Sequence, residues 1–215
     1  VTTDELIAAL ARSSDKAGPK RLYRRIEIAL VLGFLVGLVL LKVTMGFRPD
    51  IGVAAPMVAL KAGFSALIAT FAGGLALRLA RPLGDRGQLI VRLWLPLIIL
   101  ALAALAIGAV TLLTMAPGER FAAFMGNGFP WCIFLIPLFG LPTALLLVWA
   151  LREAAPTRLT LAGAAVGALS GGMGAMVYAM FCSVDSVTFV TIWYVVGIGL
   201  AAALGAILGT RLLRW

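Results

Sequence analysis

Two cysteines, Cys132 and Cys182, are the residues of this chain best equipped for chemistry, and no histidine is present to assist them. A thiol pair can cycle to a disulfide in an oxidising compartment. It can also hold a soft metal ion through thiolate sulfur. Histidine acid–base catalysis and histidine metal sites are excluded. The competing use is inert packing, since free cysteine behaves as a small hydrophobe. The seven methionines, Met45, Met57, Met115, Met125, Met173, Met176 and Met180, are expected in the same half of the molecule as the thiols. Thioether with thiolate suits Cu(I) or Cd(II), although methionine is also ordinary gap-filler.

The elements that must position these thiols are membrane helices. Hydrophobic residues make up 62% of the 215-residue chain and charged residues 13%, a composition outside the range of soluble domains. A bilayer core takes about 20 apolar residues per helix. Charge-free windows predict helices near Ile26–Gly46, Pro56–Leu79, Leu93–Met115, Gly128–Leu151, Arg158–Met180 and Val190–Leu212. The first two reach spanning length if Lys42 and Lys61 snorkel toward the headgroups. A charge pair of these lysines with Asp50 or Glu119 is the alternative. The expected fold is all-α, a bundle of six transmembrane helices.

Orientation follows from the distribution of Lys and Arg in short connections. Fourteen of the 18 fall on one side: Arg12, Lys16, Lys20, Arg21, Arg24, Arg25, Arg78, Arg81, Arg86, Arg92, Arg152, Arg158, Arg211 and Arg214. Both termini are therefore expected in the cytoplasm, and Cys132 and Cys182 at the opposite, outer face. The net charge of +9 then reflects this bias and attraction to anionic lipid, without direct nucleic-acid binding. A cleavable signal peptide is not expected, because the first twenty-five residues are polar and the first apolar run is too long.

The remaining features restrict function further. Asp50, Glu119 and Asp185 are placed outside; Asp4, Glu5, Asp15, Glu27, Asp85 and Glu153 lie inside or at the inner surface. With no carboxylate mid-membrane, the proton relay of a pump is missing. Short connections leave no room for a catalytic domain, so no enzyme and no resident cofactor are expected. Residues 1–25 form a separate cytoplasmic segment, followed by a membrane domain over residues 26–215. Thr2-Thr3-Asp4-Glu5 has capping-box spacing, and Leu6, Ile7 and Leu10 share one helical face before Gly18-Pro19. Such a short helix is marginal alone and orders against a partner or on the membrane surface beside Lys20–Arg25.

Gly163, Gly167 and Gly171, continued by Ala175 and Ala179, face a similar series at Gly197, Ala201, Gly205 and Gly209. Small residues at this spacing let two membrane helices approach closely, so the fifth and sixth helices should form a tight hairpin. Pro130, Pro137 and Pro142 with Gly140 predict a kinked fourth helix.

Taken together, these residues resemble the bacterial membrane anti-sigma factors called negative regulators of sigma F. The likeness runs from Thr3-Asp4-Glu5-Leu6-Ile7-Ala8-Ala9-Leu10-Ala11 through Arg48-Pro49-Asp50, Trp131-Cys132, Ala155-Pro156-Thr157 and Ala162-Gly163. It continues with Tyr178 leading to Cys182, Trp193-Tyr194 and Leu213-Arg214-Trp215. The resemblance implies that the N-terminal segment, with Asp4, Glu5, Leu6, Ile7 and Leu10, holds an extracytoplasmic-function sigma factor of the sigma F type at the inner membrane. It further implies that Cys132 and Cys182 sense heavy-metal or oxidative stress, as a disulfide or as ligands of a soft metal, and release that factor. The family's frequent histidine before the second cysteine is Phe181 here, which favours thiol oxidation or a sulfur-only site. A small soft-metal transporter or channel is the rival reading. It needs ligands continuing into the inner half, where none are found. An anchoring subunit of a larger complex is a third.

Overall fold

A computed structural model describes residues 2–3, 19–80, 87–126, 131–152, 154 and 156–214. The N-terminal residues Asp4, Glu5, Leu6, Ile7 and Leu10 lie outside the described residues, as do Pro130 and the 81–86 connection. The described elements are α1 (Pro19–Thr44), α2 (Ala55–Leu79), α3 (Gly87–Thr114), α4 (Pro117–Met125), α5 (Cys132–Arg152), α6 (Leu159–Ala179) and α7 (Val187–Leu212). All but α4 contain a stretch long and apolar enough to cross a membrane. Among the described residues the secondary structure is entirely helical. α1 begins at Pro19, not Ile26, so the basic residues Arg21, Arg24 and Arg25 belong to its first turns. Proline suits a helix start, because its missing N–H falls among the donors left unpaired there.

α6 is the hub. It packs against α1, α2, α5 and α7, and 72% of its spanning window is buried, against 17% for α3. Glycine makes this crowding geometrically feasible. A Cβ on Gly163 would overlap the Gly205 carbonyl oxygen, and one on Gly167 would overlap that of Ala201. The expected hairpin is therefore present as backbone-to-backbone contact between α6 and α7. Two further glycines, Gly172 and Gly174, bring other neighbours close as well. A Cβ on Gly174 would overlap the Ile136 carbonyl of α5, and one on Gly172 would lie 3.0 Å from the Ser65 carbonyl oxygen of α2. In lipid such packing stands in for the hydrophobic effect as the force of association.

α5 runs from Cys132 to Arg152 with Pro137 and Pro142 inside it. Gly140, between them, lets the Ser170 carbonyl of α6 approach. At the far end the Arg152 side chain donates to the Leu212 carbonyl at 2.7 Å, where the last carbonyls of α7 lack helical donors.

Two features of the cysteine-bearing end were not expected from sequence. The short helix α4 precedes α5, and its Arg120 donates to the Leu113 and Met115 carbonyls at 2.9 and 3.1 Å, capping α3. α7 contains a π-helical turn over Val190–Tyr194. That turn places Trp193 to donate to the Phe124 carbonyl of α4 at 2.7 Å, with the two rings 5.0 Å apart.

Candidate functional site: a clamped thiol pair

Both cysteines come to the same end of the bundle. Cys132 is the first residue of α5, and Cys182 follows the last turn of α6. That turn is closed by the Phe181 and Cys182 amides, each donating to the Tyr178 carbonyl at 3.0 Å. The thiols are free and lie near enough to interact electrostatically. Neither is at the surface: Cys132 is 0% exposed and Cys182 3%. The two phenols nearest them are Tyr178 and Tyr194.

The segment carrying Cys182 is held by two buried cations. Lys61, in the second turn of α2, donates to the Cys182 carbonyl at 2.9 Å, the Val184 carbonyl at 2.8 Å and Asp185 Oδ1 at 2.8 Å. An ammonium group has three protons, and all three are used. Arg48, in the α1–α2 connection, donates to both oxygens of Asp185 at 3.0 Å and both oxygens of Asp50 at 2.8 Å. It also reaches the Cys182 carbonyl at 3.2 Å, while its backbone amide donates to the Met180 carbonyl at 3.1 Å. A planar guanidinium can serve two carboxylates at once in this manner.

The snorkelling assignment for Lys61 is thereby corrected: the side chain is fully buried and points inward. Its partner is Asp185, neither Asp50 nor Glu119. Lys42 is exposed, as a headgroup-seeking lysine would be. Burying an ammonium without a carboxylate and carbonyls around it is prohibitively costly, so Asp185 and the connection backbone fix where Lys61 goes.

Electrostatics make the clamp durable. Hydrogen bonding from Arg48, against an opposing effect of burial and with help from Lys61, holds the Asp185 carboxyl down to about 2 from its ordinary 3.8. Arg48 likewise pulls Asp50 below its usual value, and the two carboxylates push the Arg48 guanidinium further up. A depressed carboxyl contributes stability above its unfolded-state pKa and loses it as pH falls through the folded one. For Asp185 that window lies between 3.8 and about 2, so the clamp is unchanged across roughly pH 5–8.

A cavity of about 510 Å³ opens beside the connection, lined by Met45, Met125, Trp131, Tyr178, Cys182 and Phe189 among others. Cys182 borders it and Cys132 does not. A small maleimide should therefore label Cys182 well ahead of Cys132 in native protein, as peptide mapping after brief exposure would read. Equal rates would mean that the buried positions interchange freely. Met45 and Met125 are the methionines on the cavity wall. No cluster of three or more His, Cys, Asp or Glu side chains suited to a metal ion occurs among the described residues. Any soft ion here would rest on two thiols and neighbouring thioethers.

Comparison with known proteins gives this end of the bundle its context. Residues 10–215 match the family described as "Negative regulator of sigma F". The chain belongs to the NrsF family. A "Probable anti-sigma-F factor NrsF" from Azospira oryzae is 32% identical over 215 residues, covering 99% of both chains. An "Anti-sigma-F factor NrsF" from Caulobacter vibrioides is 35% identical over 220 residues, again covering 99% of both. No solved structure matches. Membership in the NrsF family is regulatory rather than catalytic in character, and the six spanning helices make this member a membrane protein.

Proposed function

We propose that this protein is a multi-pass anti-sigma factor of the bacterial inner membrane, with both termini in the cytoplasm. It holds an extracytoplasmic-function sigma factor through its N-terminal segment, using Leu6, Ile7 and Leu10 as apolar anchors and Asp4 and Glu5 against the factor's basic surface. Heavy-metal or oxidative stress acts on Cys132 and Cys182 at the periplasmic face and releases the factor. The observation that carries this reading is the meeting of two free thiols at one end of a bundle matched end to end by anti-sigma-F factors. The asymmetry of Lys and Arg between the connections supports the orientation. A dithiol with no cluster of three His, Cys, Asp or Glu ligands among the described residues favours oxidation over metal binding.

Cys182 lies between the α6 terminus and the connection to α7, so a change at its sulfur bears directly on the hub helix. The shift in partner affinity this requires is modest, since about 1–3 kcal/mol of coupling changes affinity roughly 5–150-fold.

Cys132→Ser and Cys182→Ser should each abolish induction of sigma-dependent transcription, and the double variant should be no worse, as expected of two residues acting as one unit. Recovery of periplasmic thiol labelling by reductant would indicate a disulfide; recovery only by chelator would indicate metal. Normal induction in both serine variants would return the cysteines to a packing role. For the output, a Leu6→Asp and Leu10→Asp double variant should be derepressed without stimulus yet still inserted. Full repression by that variant would move the sigma contact elsewhere, with the Arg78–Arg92 connection next in line.

A further inference from the structure

Tyr194 is fully buried, and its hydroxyl has no hydrogen-bond partner. A buried hydroxyl left unpaired is costly, and such groups in folded proteins call for an explanation. Its placement is specific. Tyr194 closes the π-helical turn of α7, a distortion that frequently marks functional sites. While Trp193 turns outward to α4, Tyr194 turns into the bundle, its ring 6.1 Å from that of Tyr178. Its titratable neighbours are Cys182, Cys132 and Tyr178. The Cys182 thiol is directed at the Val184 carbonyl over 3.9 Å, a long contact. The Tyr194 hydroxyl and the Cys182 sulfur are thus close enough to interact, yet no hydrogen bond of good geometry joins them.

We propose that Tyr194 is a positioning residue of the thiol site, its hydroxyl held in reserve as the hydrogen-bond donor that the Cys182 sulfur accepts on turning away from the Val184 carbonyl. This rests on the reading of Cys132 and Cys182 as the responsive pair. A donor aimed at sulfur favours the electron-rich, reactive form of Cys182 and holds it in one orientation. No bond breaks in this step; one long S–H contact is exchanged for an O–H donation to sulfur. Tyr178 is also close to Cys182, but it lines the open cavity and is the less enclosed of the two phenols.

The test uses full-length protein in membranes, with Cys132→Ser so that Cys182 is the one thiol present. Adding Tyr194→Phe should slow maleimide labelling of Cys182 about tenfold, the scale of a hydrogen bond to a charged acceptor. Thermal stability should stay level or rise, because the change removes an unpaired buried hydroxyl. Tyr178→Phe should have the smaller effect on labelling. Unchanged labelling would overturn the proposal, as would lower stability with faster labelling, which marks a packing role. Should the Phe variant fail to accumulate, fluorotyrosine at position 194, a stronger donor of nearly the same shape, should speed labelling; no change there would overturn the proposal equally. In an otherwise native background, normal induction by Tyr194→Phe while both serine variants are dead sinks this inference alone. Normal induction in the serine variants removes the reading beneath it.

Discussion

Asp185→Asn should destabilise the solubilised protein by about 2–3 kcal/mol and markedly speed alkylation of Cys182. Removing one partner of a buried ion pair typically costs about 3–5 kcal/mol, because the remaining charge has lost its compensation. Here Asp185 is 39% exposed, while Lys61 is 0% exposed and Arg48 3%, so water softens the loss on the carboxylate side and the lower figure applies. Arg48 keeps Asp50, but Lys61 is left with two carbonyls and an amide. The connection then loses its carboxylate tie to both cations and is held to them by the Cys182 and Val184 carbonyls alone. Lys61→Met, which removes the buried charge along with its pairing, should be milder than Asp185→Asn. Thermal melting with timed labelling reads both effects. Equal stability of wild type and Asp185→Asn would mean that the clamp adds nothing beyond what packing already secures.

Gly167→Val should be worse still, preventing stable assembly of the bundle. The first added carbon already overlaps the Ala201 carbonyl oxygen and lies 2.9 Å from the Ala202 Cα. These are backbone atoms, so relief requires α6 and α7 to separate. Overpacking commonly costs about 1–3 kcal/mol. This case lies at or above the upper end, because no flexible side chain is available to yield. Gly199→Val is the matched control: it lies in α7 with no atom within 4 Å of an added carbon. The first variant should accumulate poorly or migrate as a loosened species, and the second should resemble wild type. Comparable behaviour of the two would separate the α6–α7 contact from stability.

The contrast between Gly163 and Lys61 shows what the sequence could convey. Six spans and the α6–α7 hairpin were legible because each is periodic: apolar run length and four-residue glycine spacing are local, repeated signals. Lys61 reads as seeking the headgroups because a lysine near the end of an apolar run looks the same whether it reaches outward or inward. Its partner lies 124 residues away, in a connection that contributes one acid and neither Lys nor Arg. That lone carboxylate was the available clue. The hub position of α6 was hidden differently. Gly172 lies on the face opposite the Gly163–Gly167–Gly171 stripe, and Gly174, which continues that stripe, meets α5 and not α7; both signal additional close neighbours that a two-helix reading does not seek. Tyr194 was part of a recognised pattern, but its role depends on a π-helical turn that no composition rule anticipates.

The uneven burial of the helices has a consequence for what the membrane itself can influence. Hydrocarbon is the solvent of this protein, yet it touches α6 sparingly and bathes α3 along most of its length. A change of acyl-chain length or order therefore falls first on α3, whose ties to the rest include a single Thr111–Thr188 hydroxyl contact at 2.8 Å and the close approach of Gly108 to Thr191. The thiols sit on the other side of that divide, among helices joined backbone to backbone. Their surroundings are buried, and on the proposed reading any chemistry at Cys132 and Cys182 would answer to what enters through the cavity that Cys182 borders.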